Sequence, residues 1–325
     1  SGKWVKVSVE TTGMHFISDS QLRSWGFPNP SAVKVYGYGG NRVPDQLSLS
    51  TFNDDLPQTT SEYVTGKGLY FYALGPLEWK QNRNIYIPSI HPFSFVGYYF
   101  LSDSEAEERA EVKRRAYSPV RKAPSQRDGE TVGSEEITDF YDRIYHKQEL
   151  ITPGEAGFML LGEDFRFTKS QSFDFNLKQL KTPAEGAGDA AENVKIEVSF
   201  VAKTLSGGSN LRFSIDGKDL PYVTTDSIGR SEGTYMHGRE LVSDKAISHS
   251  DEKISVGVKF NSRASVVLAN LNYIAINYLR RLEMPSERNL NIYLKARGNA
   301  RLSGAGAETR VWEVTDPQNI RDAGI

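Results

Sequence analysis

The stretch Val194-Lys195-Ile196-Glu197-Val198-Ser199-Phe200 decides the fold. Its apolar residues fall on every second position, the period of a half-buried β-strand rather than a helix. Val194, Ile196, Val198 and Phe200 point one way, and Lys195, Glu197 and Ser199 point the other. Leu211, Phe213 and Ile215 repeat the pattern and run into Asp216-Gly217, a dipeptide that favours a type I′ hairpin turn. Ile254, Val256, Val258 and Phe260 alternate with Lys253, Ser255 and Lys259, and Phe173 and Phe175 share a face. Ser265 to Tyr278 is apolar at both parities, which predicts a central strand buried on both faces, or one with a bulge. Asn289 to Ala296 and Arg310 to Thr315 are expected to supply the last strands. Antiparallel strands joined by a hairpin and long crossovers predict a larger, jelly-roll-like β-sandwich over residues 136–325.

Residues 1–102 read as a smaller β-rich module. Val5, Val7 and Val9 alternate with Lys6 and Ser8, and Met14-His15-Phe16-Ile17 follows the turn at Thr12-Gly13. Ser18-Asp19-Ser20 offers an N-cap for a brief helix, Gln21 to Trp25, which Gly26 and Pro28 stop. Ala32 to Tyr38, Lys67 to Leu74, Asn84 to Pro88 and Gly97 to Leu101 supply further strands, with Asn41 to Thr60 read as loop. Several short strands with one short helix suit a small sandwich or barrel. Between the modules, residues 103–135 are charged and rich in Pro, Gly and Ser. They read as a linker with a solvated helix at Glu105 to Arg115. Lys181 to Glu192, rich in Ala and Gly, reads as a loose loop. The fold class is therefore mainly β, in two β-rich domains.

Composition narrows the function. The 325 residues are 38% hydrophobic and 25% charged with a formal net charge of −2, so no global field draws nucleic acid or an acidic membrane. The basic run Lys113-Arg114-Arg115 is interleaved with glutamates, which argues against a nucleic-acid stripe. There is no cysteine, which excludes disulfides, thiolate metal sites and a cysteine nucleophile within this sequence. No apolar run approaches the roughly 18 residues a transmembrane helix needs. The chain opens on Ser1-Gly2 without an initiator Met, and a leader is expected to be absent.

Candidate chemistry is sparse. His15, His91, His146, His237 and His249 are scattered, with no metal-ligand spacing. Gly37-Tyr38-Gly39-Gly40 follows a strand but precedes no helix, so a turn needing positive φ is expected instead of a phosphate loop. Asn53-Asp54-Asp55 gathers the oxygen ligands a calcium ion favours, while solvated acidic loops share that composition. Gly162-Glu163-Asp164 carries two carboxylates with no partnered base in sequence, and reads as structural or as an interface. Tyr70, Tyr72, Trp79, Tyr98 and Tyr99 are candidates for a sugar-stacking platform, or for core. No catalytic, cofactor or metal residue is assigned, and the fragment is expected not to be an enzyme.

The order of several short motifs carries a resemblance. Lys3-Trp4-Val5-Lys6-Val7 with Gly13-Met14-His15 resembles the opening of PorU-like proteins, the gingipain-related sortases of type IX secretion in Bacteroidetes. The likeness continues through Gln21 to Phe27, Val33 to Gly40, Asn53 to Pro57, Tyr70 to Pro76 and Gly97 to Leu101. Gly162-Glu163-Asp164-Phe165 resembles a short Gly-Glu-x-Phe stretch of that family. Thr309 to Pro317, with Trp312, resembles the seam before its peptidase domain. His15 and the Ala/Gly-rich segment at 181–192 depart from the family pattern. The resemblance implies an exported protein of the periplasm, outer membrane or cell surface. It implies that a Cys/His peptidase domain would begin about where this chain stops. Partners implied are that domain and envelope or secretion-system proteins. The alternative is a carbohydrate-binding or adhesive surface module.

Overall fold

The computed structural model describes residues 3–40, 46, 56–104, 121–122, 136–155, 159–183, 192–229, 237–262, 265–287, 289–294, 298–317 and 320–323. Asn53-Asp54-Asp55, Glu105 to Arg115 and most of the Ala/Gly-rich loop at 181–192 lie outside them.

The first module holds β1 (Trp4–Val9), β2 (Gly13–Ser18), β3 (Lys34–Gly39), β4 (Gln58–Thr59), β5 (Ser61–Val64), β6 (Gly68–Ala73), β7 (Leu77–Asn82), β8 (Ile85–Ile90) and β9 (Gly97–Ser102). Two antiparallel sheets, β1-β9-β3-β4 and β2-β6-β5, enclose a core of Val9, Val35, Leu69, Phe71, Tyr99 and Leu101. Helix α1 (Asp19–Ser24) contributes the buried Leu22. Of Ser18, Asp19 and Ser20, it is Ser18 that caps it: its Oγ accepts the Gln21 amide at 3.2 Å, and Gly26 leaves the helix at φ 86°. Strands β7 and β8 pair only with each other, as a hairpin.

After β10 (Arg121–Lys122) come β11 (Asp139–His146), β12 (Ser170–Asn176), β13 (Val194–Thr204), β14 (Ser209–Ile215), β15 (Lys218–Asp219), β16 (Val223–Thr225), β17 (Arg239–Ile247), β18 (Lys253–Ser262) and β19 (Val266–Arg281). One sheet runs β11-β19-β13-β17. The other runs β12-β18-β14-β15, with β16 also on β14. Successive long strands cross from sheet to sheet, which is jelly-roll topology. The inner faces meet around Phe165, Phe200, Phe213 and Phe260, all essentially buried. Phe200 stacks on Phe260 at 5.2 Å and meets the edge of Phe165 at 5.2 Å. Central strand β19 is buried on both faces over most of its length and also carries a bulge. Ser199 faces Tyr273 and Phe200 faces Leu271, so Asn272 is the extra residue.

Two expected strands are corrected. Residues 289–294 form no strand, and of Arg310 to Thr315 only β20 (Trp312–Glu313) is extended and paired; it pairs with β21 (Arg321–Asp322). Both segments are tied down by side chains rather than by a continuous ladder. The sequences of strands β5, β7 and β17 lack clean apolar alternation. No helix among the described residues is long and apolar enough to cross a membrane.

Asp216 and Gly217 both have positive φ, at 48° and 78°, and join β14 to β15 as the dipeptide predicted. A Cβ on Gly217 would meet nothing within 4 Å, so Gly217→Ala should cost only the conformational penalty, about 1–2 kcal/mol. Phe200→Ala, which opens a cavity between the sheets, should cost about 3–5 kcal/mol. Urea denaturation of the two variants checks the ranking; equal losses would contradict it.

Candidate functional site

The polar face of β13 is where the two modules join. Glu197 and Ser199 are 2% and 0% exposed, although they point away from the sandwich core. The β7–β8 hairpin of the first module reaches Glu197, while the partners of Ser199 lie on the sheet itself. Tyr273 donates to Glu197 Oε1 at 2.6 Å, and Asn82 Nδ2 lies 3.2 and 3.3 Å from its two oxygens. Burial, then the hydrogen bond to this carboxylate, pushes the Tyr273 hydroxyl well above its usual range. Asn277 on β19 clasps the peptide backbone of β8. Its Oδ1 accepts the Tyr86 amide at 2.7 Å, and its Nδ2 donates to the Tyr86 carbonyl at 2.9 Å. Lys195 donates to the Asn84 carbonyl at 3.1 Å, and Trp79 meets the edge of Tyr145 at 5.7 Å.

A polar chain continues along the same sheet. Lys147 Nζ donates to Asn272 Oδ1 at 3.0 Å and to the Leu160 carbonyl at 2.8 Å. Asn272 donates to Ser199 Oγ at 3.0 Å, and Ser199 donates to Glu240 at 2.6 Å. Burial lowers the Lys147 ammonium, partly offset by Glu149.

The segment after β19 returns to the first module as a strap. Asn289 and Asn291 donate to the Met14 and Thr12 carbonyls at 3.2 and 2.8 Å. Lys67 pairs with Glu308 at 2.5 Å, and Arg310 pairs with Glu62 at 3.0 Å while lying over the Tyr70 ring. Arg143 on β11 is held between the rings of Tyr86 and Tyr293, 3.5 and 3.8 Å from their centroids. One guanidinium thus touches the hairpin and the strap together.

The histidines sit apart. His15 bonds the Thr11 carbonyl, His91 accepts from the Phe93 amide, His249 bonds the Lys253 carbonyl, and His237 packs near Gly154. Among the described residues, no three His, Asp or Glu side chains converge as a metal would require. His146 instead meets Glu163 at 2.5 Å, 17 residues away, a partner that local sequence did not reveal. Burial raises the Glu163 carboxyl, but the His146 hydrogen bond and a backbone bond outweigh it, and the group lies below its ordinary value. Asp164 is held by Arg166 at 2.6 Å. Gly39 has φ 65°, and a Cβ there would come within 2.6 Å of the Tyr99 ring, so the Gly-rich stretch is a close-packed turn. Of the five aromatic candidates, Tyr99 is buried, Tyr70 and Tyr72 are half-buried on β6, Trp79 lies in the seam and Tyr98 sits under Lys6.

Asn277→Ala strands the Tyr86 amide and carbonyl and should cost about 1–3 kcal/mol in thermal or urea unfolding. Glu163→Gln should lose roughly 1–2 kcal/mol at pH 7. The depressed Glu163 pKa stabilises the fold above the unfolded-state value and ceases to do so as pH falls through the folded value. The gap between wild type and Glu163→Gln should therefore close from about pH 5 downward. A gap that stays constant to pH 3 would refute the assignment.

No protein-family profile and no curated sequence matches the chain. Among solved structures, dimeric latent PorU from Porphyromonas gingivalis matches 100% of this chain at 25% identity with a TM-score of 0.77. The match covers 29% of that protein, so this chain spans less than a third of its length. CBM35 from Paenibacillus barcinonensis matches 43% of this chain over 97% of its own, at 12% identity and a TM-score of 0.23. CBM6cm-2 from Cellvibrio mixtus lichenase 5A, in complex with cellotriose, matches 32% of this chain over 95% of its own, at 15% identity and a TM-score of 0.19. Scores that low bear no weight here. The chain is thus similar from end to end to one region of PorU, and without cysteine it has no catalytic cysteine of its own.

Proposed function

We propose that this chain is the non-catalytic front region of an exported, PorU-like cysteine peptidase, and that it scaffolds the peptidase domain and docks it to envelope partners. The observation that carries the reading is the end-to-end match to PorU at a TM-score of 0.77, over less than a third of that protein. The seam supports it. Hairpin, sandwich and strap are tied by directional bonds, which suits a part that presents a neighbour in a fixed orientation. The ordered motifs from Trp4 to the Trp312 seam point the same way. The same likeness supports localisation at the periplasm, outer membrane or cell surface. The matched PorU is latent and dimeric, and holding such an assembly together is a role this region fits.

The test is the reading frame beyond Ile325, followed by a binding measurement. The frame should continue into an α/β domain with a Cys/His pair. That domain, produced separately, should form a stable complex with this chain in size-exclusion chromatography. A frame without such a domain, or two pieces that elute independently, would sink the proposal.

A further inference from the structure

The outward face of the β1-β9-β3 sheet is aromatic and partly open to water. Val5, Val7 and Val9 on β1, Tyr99 and Leu101 on β9 and Val35 on β3 turn into the core. Alternation therefore sends Trp4 and Lys6, Tyr98, and Lys34 and Tyr36 the other way. Toward β3 the face closes, where Tyr36 is buried beside Trp4 with ring centroids 5.2 Å apart. Toward β1 it stays open. Trp4 is 45% and Tyr98 39% exposed, and the Lys6 ammonium lies 3.6 Å from the centre of the Tyr98 ring.

The loop that leads into β9 adds two more rings. Phe93 and Phe95 are 73% and 71% exposed, and Tyr98 follows Phe95 by three residues. Bonds within the loop and at its start fix its shape. The His91 amide donates to the Pro76 carbonyl at 2.8 Å, the Phe93 amide to His91 Nδ1 at 3.2 Å, and Ser94 Oγ to the Val96 carbonyl at 2.7 Å. Rings displayed by a loop held in this way are a standing feature of the surface. Leaving them in water forgoes the stabilisation that burying a phenylalanine brings.

Geometry and charge select the occupant. Phe93 and Phe95 stand two residues apart on one loop, so a rigid protein partner would need a pocket for each, whereas acyl chains close around both. Trp and Tyr are the ring types that settle at the headgroup level of a bilayer. A lysine there lays its methylene stem along apolar surface and leaves its ammonium among the lipid phosphates. The outward positions of β1, β9 and β3 carry Lys6 and Lys34 and no carboxylate; Glu10 and Asp103 come one residue past the strand ends. Because the formal net charge is −2, the attraction to anionic headgroups is local to this face.

We infer that this face and the 91–96 loop seat the chain on the surface of an anionic phospholipid bilayer, with Phe93 and Phe95 in the acyl region and Trp4, Tyr98 and Lys6 at the headgroups. The partner is lipid and not the protein partners of the scaffold role, so the surface serves the 325-residue chain with or without a peptidase domain.

Sedimentation of the 325-residue chain with vesicles of phosphatidylcholine, alone or mixed with phosphatidylglycerol, tests this. The chain should sediment with the mixed vesicles and distinctly less with the neutral ones. Phe93→Ser combined with Phe95→Ser should lower partitioning roughly tenfold or more. Lys6→Gln should lower it about fivefold, on the mixed vesicles only. Phe167→Ser, which removes an exposed ring on the sandwich, should leave it unchanged. Brominated lipid should quench tryptophan emission in the wild type and far less in Trp4→Phe, because Trp25, Trp79 and Trp312 are half-buried. Thermal melts establish that each variant is folded; if the double variant is not, Lys6→Gln and the quenching decide. No sedimentation, equal binding to both vesicle types, or an equal loss from Phe167→Ser would each overturn the assignment. A dimer that the double substitution dissolves, without vesicle binding, would give the face to a second copy and overturn it as well.

Discussion

The structure turns on a sheet face that is polar and yet buried. On β13 and β19, Glu197, Ser199, Asn272 and Asn277 point away from the phenylalanine core and still lose their water. A carboxylate or amide in that position is costly unless its hydrogen bonds are replaced. The partners come from Asn82 and the Tyr86 backbone on the hairpin, and from Tyr273 and Lys147 on the sheet itself. The hairpin is thus first-module in sequence and sandwich in contact. Without it, Glu197 would keep only the Tyr273 hydroxyl as a partner; with it, the carboxylate also takes Asn82 and so fixes where the hairpin lies.

This explains what the sequence could and could not reveal. The inner faces of β12, β13, β14 and β18 were legible because one buried and one polar side produce strict alternation, as in Ile254 to Phe260. The apolar run of β19 was legible as a strand covered on both sides. The cover itself was not legible. Strand β7 reads Leu77-Glu78-Trp79-Lys80-Gln81-Asn82, with too few apolar residues to signal a strand. Its two-residue turn is Arg83-Asn84, and the positive φ, 53°, falls on Arg83 rather than on a glycine. Edge strand β17 exposes Glu240, Val242 and Asp244 and blurs its own period. The His146–Glu163 pair, Arg143 between two tyrosines and the clasp of Asn277 on Tyr86 join positions with no fixed spacing in sequence. Only tertiary packing creates them.

The strap repeats the seam's logic at a second place. Asn289 and Asn291 address backbone carbonyls of β2 and the turn before it, as Asn277 addresses the backbone of β8. Bonds to carbonyls depend on where the main chain runs, and little on which side chains it bears. A likeness carried at 25% identity through 100% of the chain fits contacts of that kind. The exposed ion pair Lys67–Glu308 adds little stability by itself; Arg310–Glu62 is half-buried. Their effect lies in register, because both join the strap to β5 and the turn that follows it.

Orientation, more than affinity, is what polar seams supply. Apolar contacts of equal area would hold the modules as firmly, since burial is non-directional and proportional to area. They would also tolerate sliding. A guanidinium between two rings, an amide clasped on a peptide unit and a carboxylate shared by a tyrosine and an asparagine each admit one geometry. Arg143 links the three parts most directly, because β11 carries it, Tyr86 belongs to the hairpin and Tyr293 to the strap. Any shift of the strap relative to the sandwich must open that stack.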